Sequence, residues 1–145
     1  MELAAIEPQY RKPWIAFDRD KVKNFDKIIA DAGRQNVYVG WSNPCIEVWF
    51  HAYFSEMPVN AVPAKCISVF AADYQRLTKQ EYDKTDGSIY RKLCKFGDEK
   101  TAIEIAGKRY QQRQESCVKP SEMLSTTTLY MLVEEIQEKA EAHEE

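Results

Sequence analysis

Apolar positions along the chain fall into short blocks, and the spacing inside each block predicts its secondary structure. Trp14-Ile15-Ala16-Phe17 is a continuous apolar run between Pro13 and Asp18, which predicts a buried strand ending in an acidic loop. Asn24 is placed to cap a helix over 25–32, where Phe25, Ile28, Ile29 and Ala32 share one face and Gly33 supplies the stop. Residues 36–41 (NVYVGW) are β-branched and aromatic and predict a second strand. Strand, helix and strand joined by a few residues predict two parallel strands with a right-handed crossover.

Beyond this unit the pattern is helical. Pro44 is a natural first helical residue, and 45–54 is apolar almost all round, predicting a helix buried on most sides. A proline-containing loop is expected over 57–63, a helix over 64–77 and a polar loop over 78–86. Two helices follow over 87–95 and 98–114, separated by Gly97, the second opening on an Asp98 cap. A connector with Pro120 spans 116–125, and 126–142 closes the chain as a helix with Leu129, Leu132, Val133 and Ile136 on one stripe. The expected fold class is α/β: a small, mainly parallel sheet flanked by helices, with a helical C-terminal portion, all in one domain over 1–145.

Composition narrows the function. The 145 residues are 44% apolar and 30% charged, an ordinary globular balance. A formal net charge of −3 argues against a passive nucleic-acid coat, but not against an enzyme that meets nucleic acid through metal ions. The sequence has no apolar run long enough to span a membrane, and its first residues lack a secretion signal. Cys45, Cys66, Cys94 and Cys117 form no C-x-x-C pair, which predicts reduced thiols and a cytoplasmic location.

Asp18 and Asp20 are the first candidates for chemistry. In extended chain, alternate side chains point the same way, so both carboxylates can reach one point and suit Mg²⁺ or Mn²⁺. Alternatively, Asp18 caps a turn and Asp20 is solvated. Ser42 and Asn43 follow the second strand, so the same carboxyl edge of the sheet presents both groups, where reactive groups gather in open parallel sheets. Glu47 and His51, four apart, share a helical face as metal ligands, an acid/base pair or a satisfied polar contact. A carboxylate inside so apolar a segment is costly unless paired or metal-bound, which singles out Glu47. His143 is the one other histidine, so a His-rich metal site is excluded. Lys84, Lys92, Lys95, Lys100, Lys108, Arg109 and Arg113 give the second half a basic character, with Tyr82, Tyr90 and Tyr110 among them. They read either as a solvated face or as a track for a phosphate backbone. Cys45 has no orienting group for a thiol nucleophile, and no glycine-rich phosphate loop is present.

At these residues the chain resembles the RloB family. WIAFDRD over 14–20, then SNPCIE over 42–47 leading into Val48-Trp49-Phe50-His51, is similar to that family's apolar strand with D-x-D followed by S-N-P-C-F-E-x-W and a histidine. Tyr82-Asp83-Lys84-Thr85 resembles its Y-x-K segment, 98–106 its alanine-bearing helix, and 120–133 its terminal proline, threonine and leucine-valine run. The likeness covers about 13–137. It implies a relation to Toprim domains and a place beside an ATPase in restriction and abortive-infection loci. Asp18 and Asp20 would then be the D-x-D metal carboxylates of a Mg²⁺-dependent nuclease acting in an antiphage complex. Two divalent ions would polarise the scissile phosphate of a nucleic-acid substrate. The implied partners are the ATPase subunit and nucleic acid, with no membrane and with homo-oligomerisation open. The departure is at the start: the family has an earlier strand followed by a glutamate in an E-G-x-T-E-like segment. Here a dozen residues precede the first strand, and neither Glu2 nor Glu7 sits in such a motif, so the expectation is an N-terminally shortened member. A partner could supply that carboxylate, Glu47 could substitute, or the chain could serve as a non-catalytic adaptor.

Overall fold

The computed structural model describes residues 13–117 and 119–144, with side chains described up to residue 141. The expectations for Glu2 and Glu7 fall outside these residues, and that for His143 outside the described side chains. Strand β1 (Trp14–Asp18) runs into a 3₁₀ turn (Arg19–Lys21), and helix α1 (Phe25–Arg34) carries the chain over to β2 (Tyr38–Asn43). The strands pair in parallel, from Trp14 opposite Tyr38 to Asp18 opposite Ser42. Then come α2 (Glu47–Ala52), α3 (Pro63–Thr78), α4 (Ile89–Phe96), α5 (Glu99–Ser116), a 3₁₀ turn (Pro120–Glu122), β3 (Thr126–Thr127) and α6 (Leu129–Glu144).

The α/β class and the parallel crossover are as expected, but the sheet is mixed. Its order is β1-β2-β3, and β3 lies antiparallel to β2, with Ser42 opposite Thr127 and Asn43 opposite Thr126. The cause is the β-branched run Thr126-Thr127-Thr128, in which the hydroxyls of Thr127 and Thr128 bond back to β2. Thr127 Oγ1 donates to the Trp41 carbonyl at 3.0 Å, and Thr128 Oγ1 donates to the Val39 carbonyl at 3.0 Å. The closing helix therefore begins at Leu129 rather than at 126.

Strand β1 is also less buried than expected. It lies at an edge of the described sheet, and Ile15 is 41% exposed, because α1 and α6 both pack on β2. Asn24 takes a left-handed backbone (φ 57°) and makes no side-chain cap; its carbonyl accepts the Ile28 N–H instead. Gly33 lies within α1, and the left-handed residue beyond the helix is Asn36 (φ 59°), a type that tolerates this conformation. Pro44 precedes α2 rather than starting it, after a cis Asn43–Pro44 peptide bond. On α6, Leu129, Tyr130 and Val133 pack against the core, whereas Ile136 is exposed.

Short α2 is the centre of the molecule. Val48, Trp49 and Ala52 are buried against residues of α3 and α5, including Phe70, Ala102 and Ala106. This agrees with its apolar character on all sides. A second cluster joins the sheet to α1 through an edge-to-face series: Phe17 on Phe25 (5.8 Å between centroids), Phe25 on Trp41 (5.6 Å) and Trp41 on Tyr110 (5.9 Å). Among the described residues no helix is long and apolar enough to cross a membrane.

Candidate functional site

Asp18 is the last residue of β1 and stands opposite Ser42, near the end of β2. The two sequence segments singled out above therefore meet at one sheet edge. The chain after Asn43 doubles back, and the Ile46 N–H hydrogen-bonds to Asp18. Burial pushes the Asp18 carboxyl above its usual range; Asp20 and Glu47 add to the rise, while Ile46 N–H and Lys84 oppose it.

Glu47, the first residue of α2, is fully buried. Its Oε2 accepts the Tyr82 hydroxyl at 2.7 Å and lies 3.3 Å from Lys84 Nζ. Its Oε1 is buried with no hydrogen-bond partner. Leaving a carboxylate oxygen so placed costs about 1–3 kcal/mol or more. Burial and the nearby Glu47 charge also push the Cys45 thiol upward, which leaves it protonated rather than nucleophilic.

Tyr82 and Lys84 reach Glu47 from the loop 79–88. The Tyr82 ring meets Phe70 edge-on at 4.7 Å, so its hydroxyl is held from the core side. The loop is braced from within: Asp83 accepts the Thr85 N–H and hydroxyl, and Asp86 pairs with Lys92 at 2.6 Å. Alternate side chains of an extended segment point the same way, and a Tyr-x-Lys spacing was the signal that could have drawn both residues toward one target.

The other candidates take different places. Asp20 lies in the 3₁₀ turn, where the alternation of a strand no longer holds, and is exposed; its N–H donates to the Pro44 carbonyl at 3.1 Å. It acts on Asp18 through its charge alone. Ser42 is buried with its hydroxyl 2.8 Å from that of Thr127, fastening β2 to β3. Asn43 donates to the Pro120 and Ser121 carbonyls at 3.0 and 3.3 Å and accepts from Arg19. His51 lies between Ser55 and α3: Nδ1 donates to the Ser55 carbonyl at 2.9 Å and Nε2 is 2.6 Å from Asp73. The imidazole thereby lowers the Asp73 carboxyl below its ordinary range. Arg109, among the basic candidates, is a buried clamp on the Met57 and Ser125 carbonyls and on Glu56.

A model of the RloB-like protein family matches residues 3–136. The chain belongs to the RloB-like family. No curated protein and no solved structure matches it. Among the described residues of this RloB-like chain, no three His, Cys, Asp or Glu side chains converge as a metal site. Mg²⁺ and Mn²⁺ make a sparser demand, taking one or two protein carboxylates and completing their shell with water and phosphate oxygens. Asp18 and Glu47 fit that demand, since they are the right donors and one buried oxygen lacks a partner.

Proposed function

We propose that this chain is the effector subunit of a bacterial antiphage system, a Mg²⁺- or Mn²⁺-dependent nuclease with a Toprim-like site, working with an ATPase from the same locus. The observation that carries this reading is the buried, unpartnered Oε1 of Glu47, which follows the Ile46 whose N–H bonds to Asp18 at the carboxyl end of a parallel strand pair. Family membership supports it. Asp18 and Glu47 hold the cation, Asp20 adds negative charge at the rim, and Tyr82 fixes the Glu47 rotamer through its hydroxyl. The bound ion supplies Lewis acidity toward a phosphodiester oxygen. The exposed side of the site, where Asp20 and Lys84 lie, is where a nucleic-acid backbone approaches.

A second reading has its own support. Asp20 is exposed and no third ligand converges among the described residues, which suits a non-catalytic adaptor subunit carrying a degenerate site. One assay separates the two: incubation of the chain, alone and with its ATPase neighbour, with DNA and with tRNA in Mg²⁺ or Mn²⁺. The nuclease reading expects cleavage that Asp18→Asn and Glu47→Gln both abolish. No cleavage under any condition, with phage defence intact in an Asp18→Ala/Asp20→Ala double variant, assigns the adaptor role instead.

A further inference from the structure

Lys84 reaches the buried Glu47 carboxylate from the solvent side. Its side chain is 45% exposed while that of Glu47 is fully buried, and its ammonium lies 3.3 Å from Glu47 Oε2. The same ammonium acts favourably on Asp18. A single flexible cation thus offsets both carboxylates named above as cation ligands, at the place where their charge is concentrated.

We infer that Lys84 is a resident counter-ion of the Asp18–Glu47 pair, competing with the divalent cation and setting how readily the site loads. The inference rests on the metal-dependent reading of the same residues. The half-buried Asp18 carboxylate and the buried Glu47 carboxylate repel each other and need positive charge nearby. Lys84 supplies one unit of it without closing the site, because it meets Oε2 and leaves Oε1 free of partners. A divalent ion brings two further units into the same small volume, and the ammonium is then repelled.

The neighbouring groups decide what moves. Tyr82 stays, since its ring is packed on Phe70 and on Tyr74, at 4.7 and 5.7 Å. The backbone of the loop stays, since Asp83 and Asp86 bond to its own amides and hydroxyls. Lys84 alone combines a long, half-exposed stem with a charge that the incoming ion opposes. Loading therefore releases the Lys84 ammonium to solvent while Tyr82 keeps Oε2 of Glu47 in place.

The test is a Mn²⁺ titration of the full chain without nucleic acid, followed by electron paramagnetic resonance of the free ion. Lys84→Gln is expected to bind Mn²⁺ about 5- to 30-fold more tightly than wild type, the range of a modest coupling between two sites. Lys84→Arg keeps the charge and is expected to stay within about 3-fold of wild type. In wild type, saturating Mn²⁺ is expected to raise the rate at which acetic anhydride modifies Lys84, read by peptide mass spectrometry. Lys84→Gln affinity equal to or weaker than wild type, with binding still lost in Asp18→Asn, overturns the counter-ion role and leaves the metal reading standing. Absence of Mn²⁺ binding in every variant overturns both.

Discussion

Asp18 and Glu47 come from different elements, the end of a strand and the start of a helix, yet the charge of Glu47 bears directly on the Asp18 carboxyl. The Ile46 N–H bonded to Asp18 belongs to the residue just before Glu47, so one short backbone segment positions both carboxylates. The arrangement gains nothing in stability from the repulsion it creates, which is the pattern of a site held ready for positive charge.

Asp18→Asn is expected to stabilise the metal-free chain at neutral pH. The folded-state pKa of Asp18 is raised, chiefly by burial, so its protonated form suits the fold and its ionised form does not. The favourable contribution is full below the ordinary carboxylate value and is lost as pH rises through the raised one. Melting temperatures measured in chelator should show the variant above wild type by roughly 2–4 °C near pH 7, with the gap closing toward pH 4. An unchanging gap across this range would mean that the fold does not raise the Asp18 carboxyl.

The His51–Asp73 link has the opposite sign. Asp73 is lowered in the fold, with the His51 hydrogen bond as the largest cause, so its contribution is present above the ordinary carboxylate value and disappears as pH falls through the folded one. Asp73→Asn should be less stable than wild type at pH 6–7, and the two urea midpoints should converge below about pH 4. Equal midpoints at neutral pH would show that the link does not fasten α2 to α3.

Tyr82→Phe removes the hydroxyl that donates to Glu47 Oε2 at 2.7 Å and keeps the ring on Phe70. Loss of a hydrogen bond to a buried charged group is expected to cost about 1.5–3 kcal/mol in urea unfolding. A cost below about 0.5 kcal/mol would mean that Lys84 and solvent already satisfy that oxygen.

Gly97 is required by close approach rather than by its dihedrals. A Cβ there would sit 2.5 Å from the Tyr53 carbonyl oxygen, a backbone atom that cannot step aside. The Asp98 N–H donates to the same oxygen at 2.9 Å, joining the α4–α5 corner to the end of α2. Gly97→Ala should therefore destabilise by about 1–3 kcal/mol, the cost of overpacking, measured by urea unfolding of the two proteins side by side. A neutral effect would mean the corner can shift.

Much of the β1-α1-β2 unit was legible because each of its segments carries its own apolar pattern, although Gly33, the expected stop, lies within α1. Glu47 stood out for a similar local reason, a charge inside an apolar run. β3 was not legible, since two threonines at the head of a helical pattern are too few to show an alternation. Their strand character comes from bonding to β2, a contact some 85 positions away. Tyr82 and Lys84 carried a family likeness and a basic character, but their bond to Glu47 depends on how α3 folds the loop back. Arg109 looked like a surface cation for the same reason: nothing in its helix announces that the carbonyls of Met57 and Ser125 await it.

The most direct test of the central claim is diffraction from crystals grown with Mn²⁺, recorded where manganese scatters anomalously. The account predicts an anomalous peak contacting the carboxylates of Asp18 and Glu47, with Oε1 among its ligands. Crystals saturated with Mn²⁺ that show no peak at this pair, or show one only elsewhere on the molecule, would contradict it.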